Sequence, residues 1–473
     1  MRDHCGILGA YLFEDREDRL SQYLYDGLCA LQHRGQESVG ITVHDGRSMK
    51  TLKNLGLVSQ APSLFEGIKG LCGIGHDRYS TTGQSSLENA QPLEMISRGG
   101  IRYSIAFNGN ISNYFELVEE IRNERSLKTT SDAEVLGYLF GRDLGLKDIA
   151  TIVSENAPRI QGAYSVVMLI DGKPPKLVAI RDPLGFRPLC LGRNEDGIFI
   201  ASESVAFEEC YMDAKFERDL EPGELLIIED SESRSVRFQA SNRHAHCMFE
   251  WVYFARPDSI LESIPVYTVR ERLGSLLAKD YRPNVDAVIP VPDSGRSAAA
   301  GYSMASGIPL KEGFQKDRYM DRRSFIMPDQ EKREAMVKKK LNPLPSVVQG
   351  KRILLIDDSI VRGTSMRGYV QSLKKRGALE VHLGISCPPL IDWCPYGIDF
   401  YEGELIARKF LGKPLEEICR LVAKELGADS LYYNSLENLI EAIGLPKEDL
   451  CLGCLTGVYP HKVRVVTREE RKR

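Results

Sequence analysis

The chain has 473 residues, 42% of them apolar and 27% charged, with a formal net charge of −4. These figures fit an ordinary soluble globular protein of two or three domains and give no general pull toward nucleic acid or membrane. No apolar run approaches the roughly 20 residues a membrane span needs, and the N-terminus lacks the basic region and apolar core of a signal peptide, so the cytoplasm is the expected compartment.

Residues 5–12 read as a strand, and 20–31 have helical spacing that stops at Arg34-Gly35. Strand-like runs follow at 38–44, 71–75 and 101–107, helical segments at 114–122 and 133–138, then strands at 164–170, 176–180, 198–202 and 224–228. Strands, then helices, then strands suggest a sandwich of sheets covered by helices. The polar stretch 230–246 marks a boundary. Beyond it come a helix at 269–277, a strand at 287–291, a helix at 297–304, a strand at 352–356, a helix at 366–375 closed by Gly377, and a strand at 380–386. That alternation is the grammar of a parallel sheet, with ligands expected at the carboxyl ends of its strands. The tail at 468–473 is strongly charged and expected to fray.

Within the second half, ILLIDDSIVRGTS at 353–365 is the most informative string. Apolar strand residues run into two carboxylates and a Gly-containing turn, and Met366, Tyr369, Val370 and Leu373 then keep helical spacing. Backbone N–H groups at such a helix start can hold a phosphate, and the aspartates can bind ribose hydroxyls or Mg2+. The plain alternative is an ordinary strand–turn–helix corner. The whole string resembles the ribose-5-phosphate loop of type I phosphoribosyltransferases, which bind phosphoribosyl pyrophosphate (PRPP). That resemblance implies PRPP contacts from Asp357, Asp358, Ser359, Arg362, Gly363, Thr364 and Ser365. It also implies that Ser294, in the upstream segment DAVIPVPDSGRSAAAGY, helps Asp357 and Asp358 hold Mg2+. Residues 311–340 carry ten Lys/Arg against six Asp/Glu and resemble the loop that folds over PRPP, with Lys316, Arg318 and one of Arg322 and Arg323 as candidate cations. Two departures stand out. The loop has one residue more than the family pattern between its Arg-Tyr and Ser-Phe-Ile, and Arg296-Ser297 stand where the family tends to have Thr-Pro.

The N-terminal half carries a second chemistry. A cysteine on an N-terminal strand is usually a small buried apolar residue. If Met1–His4 were removed, Cys5 would carry both a thiol and an α-amine of pKa about 7.7–8.0, a nucleophile and a base in one residue. Cys5 is accompanied by HRGQES at 33–38, GHDRYSTTG at 75–83, FNGNISN at 107–113 and TSDAEV at 130–135. Together these resemble the glutaminase domain of N-terminal-nucleophile (class II) glutamine amidotransferases. The resemblance implies that Cys5 attacks the glutamine carboxamide, Asn108 and the Gly109 N–H form the oxyanion hole, Arg78 grips the α-carboxylate, and Asp132 the α-ammonium. Arg34 lies in a loop that borders the pocket in that family.

Of eleven cysteines, Cys247, Cys394, Cys451 and Cys454 form a plausible tetrathiolate set. The C-x-x-C spacing admits zinc or iron–sulfur and by itself leans to zinc. The remaining Cys29, Cys72, Cys190, Cys210, Cys387 and Cys419 read as packing residues. Taken over nearly the whole chain, the motifs resemble the glutamine PRPP amidotransferases, in the branch with a short propeptide and a [4Fe–4S] cluster on those four cysteines. The implied organisation is a propeptide at 1–4, a four-layer αββα Ntn glutaminase domain at 5–243, a type I phosphoribosyltransferase domain with a parallel sheet at 244–430, and a helical segment with cluster ligands at 431–473. The implied reaction converts glutamine, PRPP and water to 5-phosphoribosylamine, glutamate and pyrophosphate, with Mg2+, in a homotetramer inhibited by purine nucleotides. Rival readings are an amidotransferase for another acceptor, which has no need of ILLIDDSIVRGTS, a non-catalytic PRPP-binding regulator, which has no need of the Cys5 constellation, and a degenerate copy of the enzyme, for which the extra loop residue is the best support.

Overall fold

A computed structural model describes residues 5–79, 86–241, 243–316, 341–399 and 402–462. The chain opens with β1 (Gly6–Leu12), α1 (Leu20–Leu31), β2 (Ser38–His44), β3 (Met49–Leu55), β4 (Cys72–Arg78), β5 (Leu93–Ile96) and β6 (Arg102–Ile111). Helices α2 (Tyr114–Ile121), α3 (Asp132–Gly141) and α4 (Ile149–Asn156) follow. The half closes with β7 (Gly162–Ile170), β8 (Lys176–Arg181), β9 (Cys190–Arg193), β10 (Gly197–Ala201), β11 (Lys215–Asp219), β12 (Glu224–Glu229) and β13 (Glu232–Arg237).

These strands form two antiparallel sheets, ordered β11-β9-β10-β1-β4-β2-β3 and β13-β12-β8-β7-β6-β5. The sheets pack face to face over Ile7, Ile74, Val167, Leu177 and Leu226. On the outer face of the first, Leu24 and Leu28 of α1 pack against Val39 and Ile41. On the outer face of the second, Leu136, Leu139 and Ile152 of α3 and α4 pack against Ile105 and Val166. The result is the expected αββα stack. It explains why β1 reads as an unbroken apolar run. Alternation sends Ile7 and Tyr11 toward the other sheet and Leu8 and Ala10 toward α1, so both faces are dry. β13 lies inside the polar stretch 230–246 and pairs with β12, so the first domain reaches at least Arg237.

The second half contains α5 (Val266–Asp280), β14 (Ala287–Pro290), α6 (Arg296–Ser306), β15 (Arg352–Asp357), α7 (Thr364–Lys375), β16 (Glu380–Ile385), α8 (Leu415–Leu426), β17 (Ser430–Tyr433) and α9 (Leu436–Ile443). Strands β14-β15-β16-β17 lie side by side, parallel throughout. Ile353 and Leu355 of β15 face α7 and α8, whereas Leu354 and Ile356 face α5 and α6. A parallel strand covered on both sides must be apolar at every position, which is what the run ILLI reports. The expected division at 430/431 falls inside β17.

A third core sits at the junction, where Ala163 and Phe186 of the first half meet Phe249, Trp251, Val269 and Leu439. A two-residue parallel pairing of His246–Cys247 with Leu450–Cys451 ties the C-terminal segment to this junction.

Candidate active sites

The first site grows from an unfinished edge. β5 begins at Leu93, opposite Ile105 of β6, and the ladder goes no further. β6 nevertheless continues to Ile111, paired on its other side with β7. In an antiparallel strand alternate residues direct their backbone groups to the same edge, so Phe107, Gly109 and Ile111 face the side that β5 has vacated. Asp132, in the first turn of α3, accepts the Ile111 N–H at 3.1 Å. Ser131 caps that helix by accepting the Ala133 N–H at 3.3 Å. The sequence run at 101–107 stops short of Asn108-Gly109, a dipeptide common in hairpin turns. Here the strand runs straight through it, and Gly109 takes φ +152°.

Around that edge lies a pocket lined by Cys5, Arg78, Tyr79, Gln91, Phe107, Gly109, Ser131 and Asp132. Cys5 is buried and its Sγ donates to the Tyr79 carbonyl at 3.4 Å. Burial pushes its thiol up to about 12, against the pull of that hydrogen bond and of Arg78. Burial likewise lowers the Arg78 guanidinium from its ordinary value, opposed by Cys5, Glu37 and Asp132. Asn108 is fully buried, and among the described residues neither its Oδ1 nor its Nδ2 has a hydrogen-bond partner. A buried amide without partners costs about 1–3 kcal/mol, so its persistence on the strand that walls the nucleophile's pocket is the mark of a group kept for a ligand.

Five of the six glutaminase candidates, Cys5, Arg78, Asn108, Gly109 and Asp132, therefore gather on one pocket or its supporting strand. Arg34 does not line it. Its buried guanidinium donates from Nε to the Cys5 carbonyl at 3.2 Å and forms a bidentate pair with Glu250 at 2.9 and 3.1 Å, with Glu203 as a further partner. It clamps the nucleophile's backbone and crosses to the second domain. Tyr79, Gln91 and Ser131 line the pocket without having been singled out; the Gln-Pro dipeptide at 91–92 was the available signal for one of them. Residues 1–4 lie outside the described chain, and so do Arg318, Arg322 and Arg323.

At the carboxyl end of β15 the second site assembles. Ser294, in the turn before α6, donates to Asp357 Oδ1 at 3.2 Å, and the Asp358 N–H donates to the same oxygen at 2.9 Å. Burial, and next the adjacent Asp358, push the Asp357 carboxyl well above its ordinary value. Ser359 donates to Asp358, and Arg362 pairs with Glu404. Gly363 is the N-cap of the 12-residue α7 with φ +76°, and no side chain caps that helix, so Thr364 and Ser365 open it with backbone donors facing the loop. Lys316 reaches back to Asp293 in the Ser294 turn. That turn's other departure, Arg296, pairs with Asp293 and Glu312. A carboxyl pair, Asp358 buried and Asp357 half-buried, next to a hydroxyl is a donor set that suits Mg2+.

Cys247, Cys394, Cys451 and Cys454 are all buried in the junction core. Burial raises Cys247 to about 11, and raises Cys451 and Cys454 further, each of the three thiols being raised again by its neighbours in the set. Among the described residues no three His, Cys, Asp or Glu side chains close on a single-ion geometry. The four thiols share one apolar pocket beside Arg187, a donor set suited to a thiolate-held group.

Comparison with known proteins places both halves. A glutamine amidotransferase domain family matches residues 76–209, and a phosphoribosyl transferase domain family matches residues 259–406. The amidophosphoribosyltransferase of Methanothermobacter thermautotrophicus is 45% identical over 465 residues, 97% of this chain and 95% of that protein. The Bacillus subtilis amidophosphoribosyltransferase is 39% identical over 471 residues, 98% and 95% of the two chains. Among solved structures, the B. subtilis glutamine PRPP amidotransferase complexed with ADP and GMP superposes with a TM-score of 0.86 at 39% identity, covering 97% of this chain and 98% of its own. A structure described as the allosteric regulatory enzyme of purine biosynthesis gives 0.88 at 38% identity, covering 99% and 98%.

Proposed function

The chain belongs to the amidophosphoribosyltransferase family, and from its two sites we propose how it carries out that family's reaction, the opening step of purine biosynthesis. The observation that carries the reading is the buried Asn108 amide, unpartnered among the described residues, on the strand whose Phe107 and Gly109 line the Cys5 pocket.

Removal of residues 1–4 makes Cys5 the N-terminal residue. Burial raises the thiol from its ordinary value in the unprocessed chain, and a protonated thiol has to lose its proton as sulfur attacks. The new α-amine, with a pKa of about 7.7–8.0, takes it. Arg78 holds the glutamine α-carboxylate and Asp132 its α-ammonium, which sets the side-chain carboxamide over Sγ. Asn108 and the Gly109 N–H stabilise the tetrahedral oxyanion; the protonated α-amine gives its proton to the leaving nitrogen, ammonia departs, and water hydrolyses the thioester left behind to glutamate and the free thiol. In the second site Asp357 and Asp358 take the ribose hydroxyls. The α7 N-terminus with Ser359, Arg362, Gly363, Thr364 and Ser365 takes the 5-phosphate. Lys316 and Arg318 meet the pyrophosphate. Ser294, Asp357 and Asp358 would hold Mg2+, whose charge offsets that of the departing pyrophosphate. Ammonia then attacks C1 of the ribose, the C1–O bond to pyrophosphate breaks, and 5-phosphoribosylamine forms.

The four buried cysteines would hold a [4Fe–4S] cluster that pins the C-terminal segment to the junction. Purine nucleotides as inhibitors, supported by the ADP and GMP of the B. subtilis structure, a homotetramer, and a cytoplasmic location complete the proposal.

The test measures PRPP-dependent glutamate and pyrophosphate release on anaerobically purified protein, beside Cys5→Ala. The variant should lose glutamine-dependent synthesis and keep the ammonia-dependent reaction; glutamine hydrolysis at the parental rate would refute the nucleophile. Intact mass reports the propeptide. Iron with labile sulfide supports the cluster, and one zinc per chain without iron refutes it.

A further inference from the structure

Where β5 stops, Phe107 of β6 is left with an N–H and a C=O on the vacated edge, one residue before the oxyanion-hole asparagine. Neither is orphaned. Gln91 lies two register positions beyond the Leu93–Ile105 pair, past Pro92, which interrupts the strand, and its side chain substitutes for the missing backbone: Oε1 accepts the Phe107 N–H at 2.8 Å. His76, reaching across the sandwich from β4, meets the Phe107 carbonyl with Nε2 at 3.1 Å. His76 is 0% exposed and Gln91 3%.

We infer that His76 and Gln91 are positioning residues for glutamine hydrolysis, a two-sided clamp on the Phe107 peptide that fixes the direction of the Asn108 amide and the Gly109 N–H. This rests on the oxyanion-hole reading of those two residues. Among the described residues Asn108 makes no side-chain hydrogen bond of its own, so its amide is directed by its backbone and the packing around it alone. The backbone immediately before it is held by the clamp. The histidine suits a fixed donor. A carbonyl can only accept, so Nε2 carries the proton, and Nδ1, buried without a partner, carries none. Burial lowers the ring to about 3, which keeps it in that single tautomer across the working range of pH.

The experiment compares His76→Leu, Gln91→Leu, His76→Gln and Asn108→Ala in the full-length enzyme, with glutamine and ammonia as alternative nitrogen sources. Each leucine variant should lower kcat for glutamine hydrolysis by roughly 10- to 100-fold, up to the loss seen when one oxyanion donor is deleted. KM should stay within about threefold. The ammonia-dependent rate and the rate of Cys5 modification by iodoacetamide should match the parent, because neither uses the oxyanion hole. His76→Gln, which retains an N–H donor, should recover most of the rate. Either leucine change added to Asn108→Ala should cost less than it does alone, only the loss through Gly109 remaining. If Asn108→Ala abolishes hydrolysis while both leucine variants stay within about twofold of the parent, the clamp is refuted and the oxyanion reading stands. If Asn108→Ala itself hydrolyses glutamine normally, the underlying reading falls. Equal losses with glutamine and ammonia would reduce both residues to packing and overturn the inference.

Discussion

Replacing Gly109 by alanine tests the geometry of the first site most directly. Gly109 adopts φ +152°, and a Cβ built there would lie 1.9 Å from the Ala163 carbonyl oxygen on β7, against ordinary contact beyond 3.4 Å. The clash is with backbone, so it cannot be relieved by turning a side chain. β6 must draw back by about 1.5 Å, and a misplacement of about 1 Å near reacting groups already costs about 10²-fold. The moved group is itself a proposed oxyanion donor, whose loss is worth about 2.7–4 kcal/mol, or 10²–10³ in kcat. Glutamine-dependent kcat should therefore fall by about 10²–10³, while the ammonia-dependent rate and the KM for PRPP stay within about twofold. The assay runs both nitrogen sources on one preparation and follows pyrophosphate. A glutamine-dependent rate within about threefold of the parent would refute the placement of the Gly109 N–H, and a matching fall with ammonia would show that the fold was damaged instead.

Glu250→Ala should destabilise the protein by about 3–5 kcal/mol in denaturant unfolding, because it removes the shared partner of two buried guanidiniums, Arg34 at 2.9 and 3.1 Å and Arg187 at 3.3 Å; a change below about 1 kcal/mol would refute the reasoning. In protein that retains residues 1–4, alkylation of Cys5 should speed up about tenfold per pH unit from pH 7 to 10 without levelling, since its thiol lies near 12 and the thiolate fraction grows with pH throughout that range. A plateau near pH 8, followed by peptide mapping of the modified cysteine, would refute it.

Much of the fold was legible because both domains bury strands on two faces or one. The runs at 5–12, 20–31, 38–44 and 353–356 announce their elements through apolar spacing alone. β3 was missed because it is a sheet edge, MKTLKNL, with Met49 its one buried residue and polar side chains on both faces, which blunts the pattern. β9, β11 and β13 are short or exposed and lack an apolar face of their own. In the site, Cys5, Arg78 and Asp132 were readable from local motifs, and the structure brings them together. Arg34 was expected beside the substrate pocket. It was misjudged because its partners, Glu203 and Glu250, lie 169 and 216 residues away in sequence. Such a pairing leaves no local trace. Gln91 is the reverse case: its function depends on where β5 stops, which only the three-dimensional ladder reveals.

The vacated edge of β6 has one more consequence. Three N–H groups face it, and two are already taken, that of Phe107 by Gln91 and that of Ile111 by Asp132. Among the described residues, what remains is a gap one donor wide, at Gly109. An exposed strand edge ordinarily invites another strand to add to it, through a row of alternating donors and acceptors. This one can accommodate a single carbonyl and then closes. An amide on a short side chain fits such a slot, whereas the backbone of a polypeptide, which needs consecutive ladder positions, does not. The same truncation that builds the site therefore separates a small amide substrate from the far more abundant amides of other proteins, and does so with main-chain geometry instead of a tailored side-chain pocket.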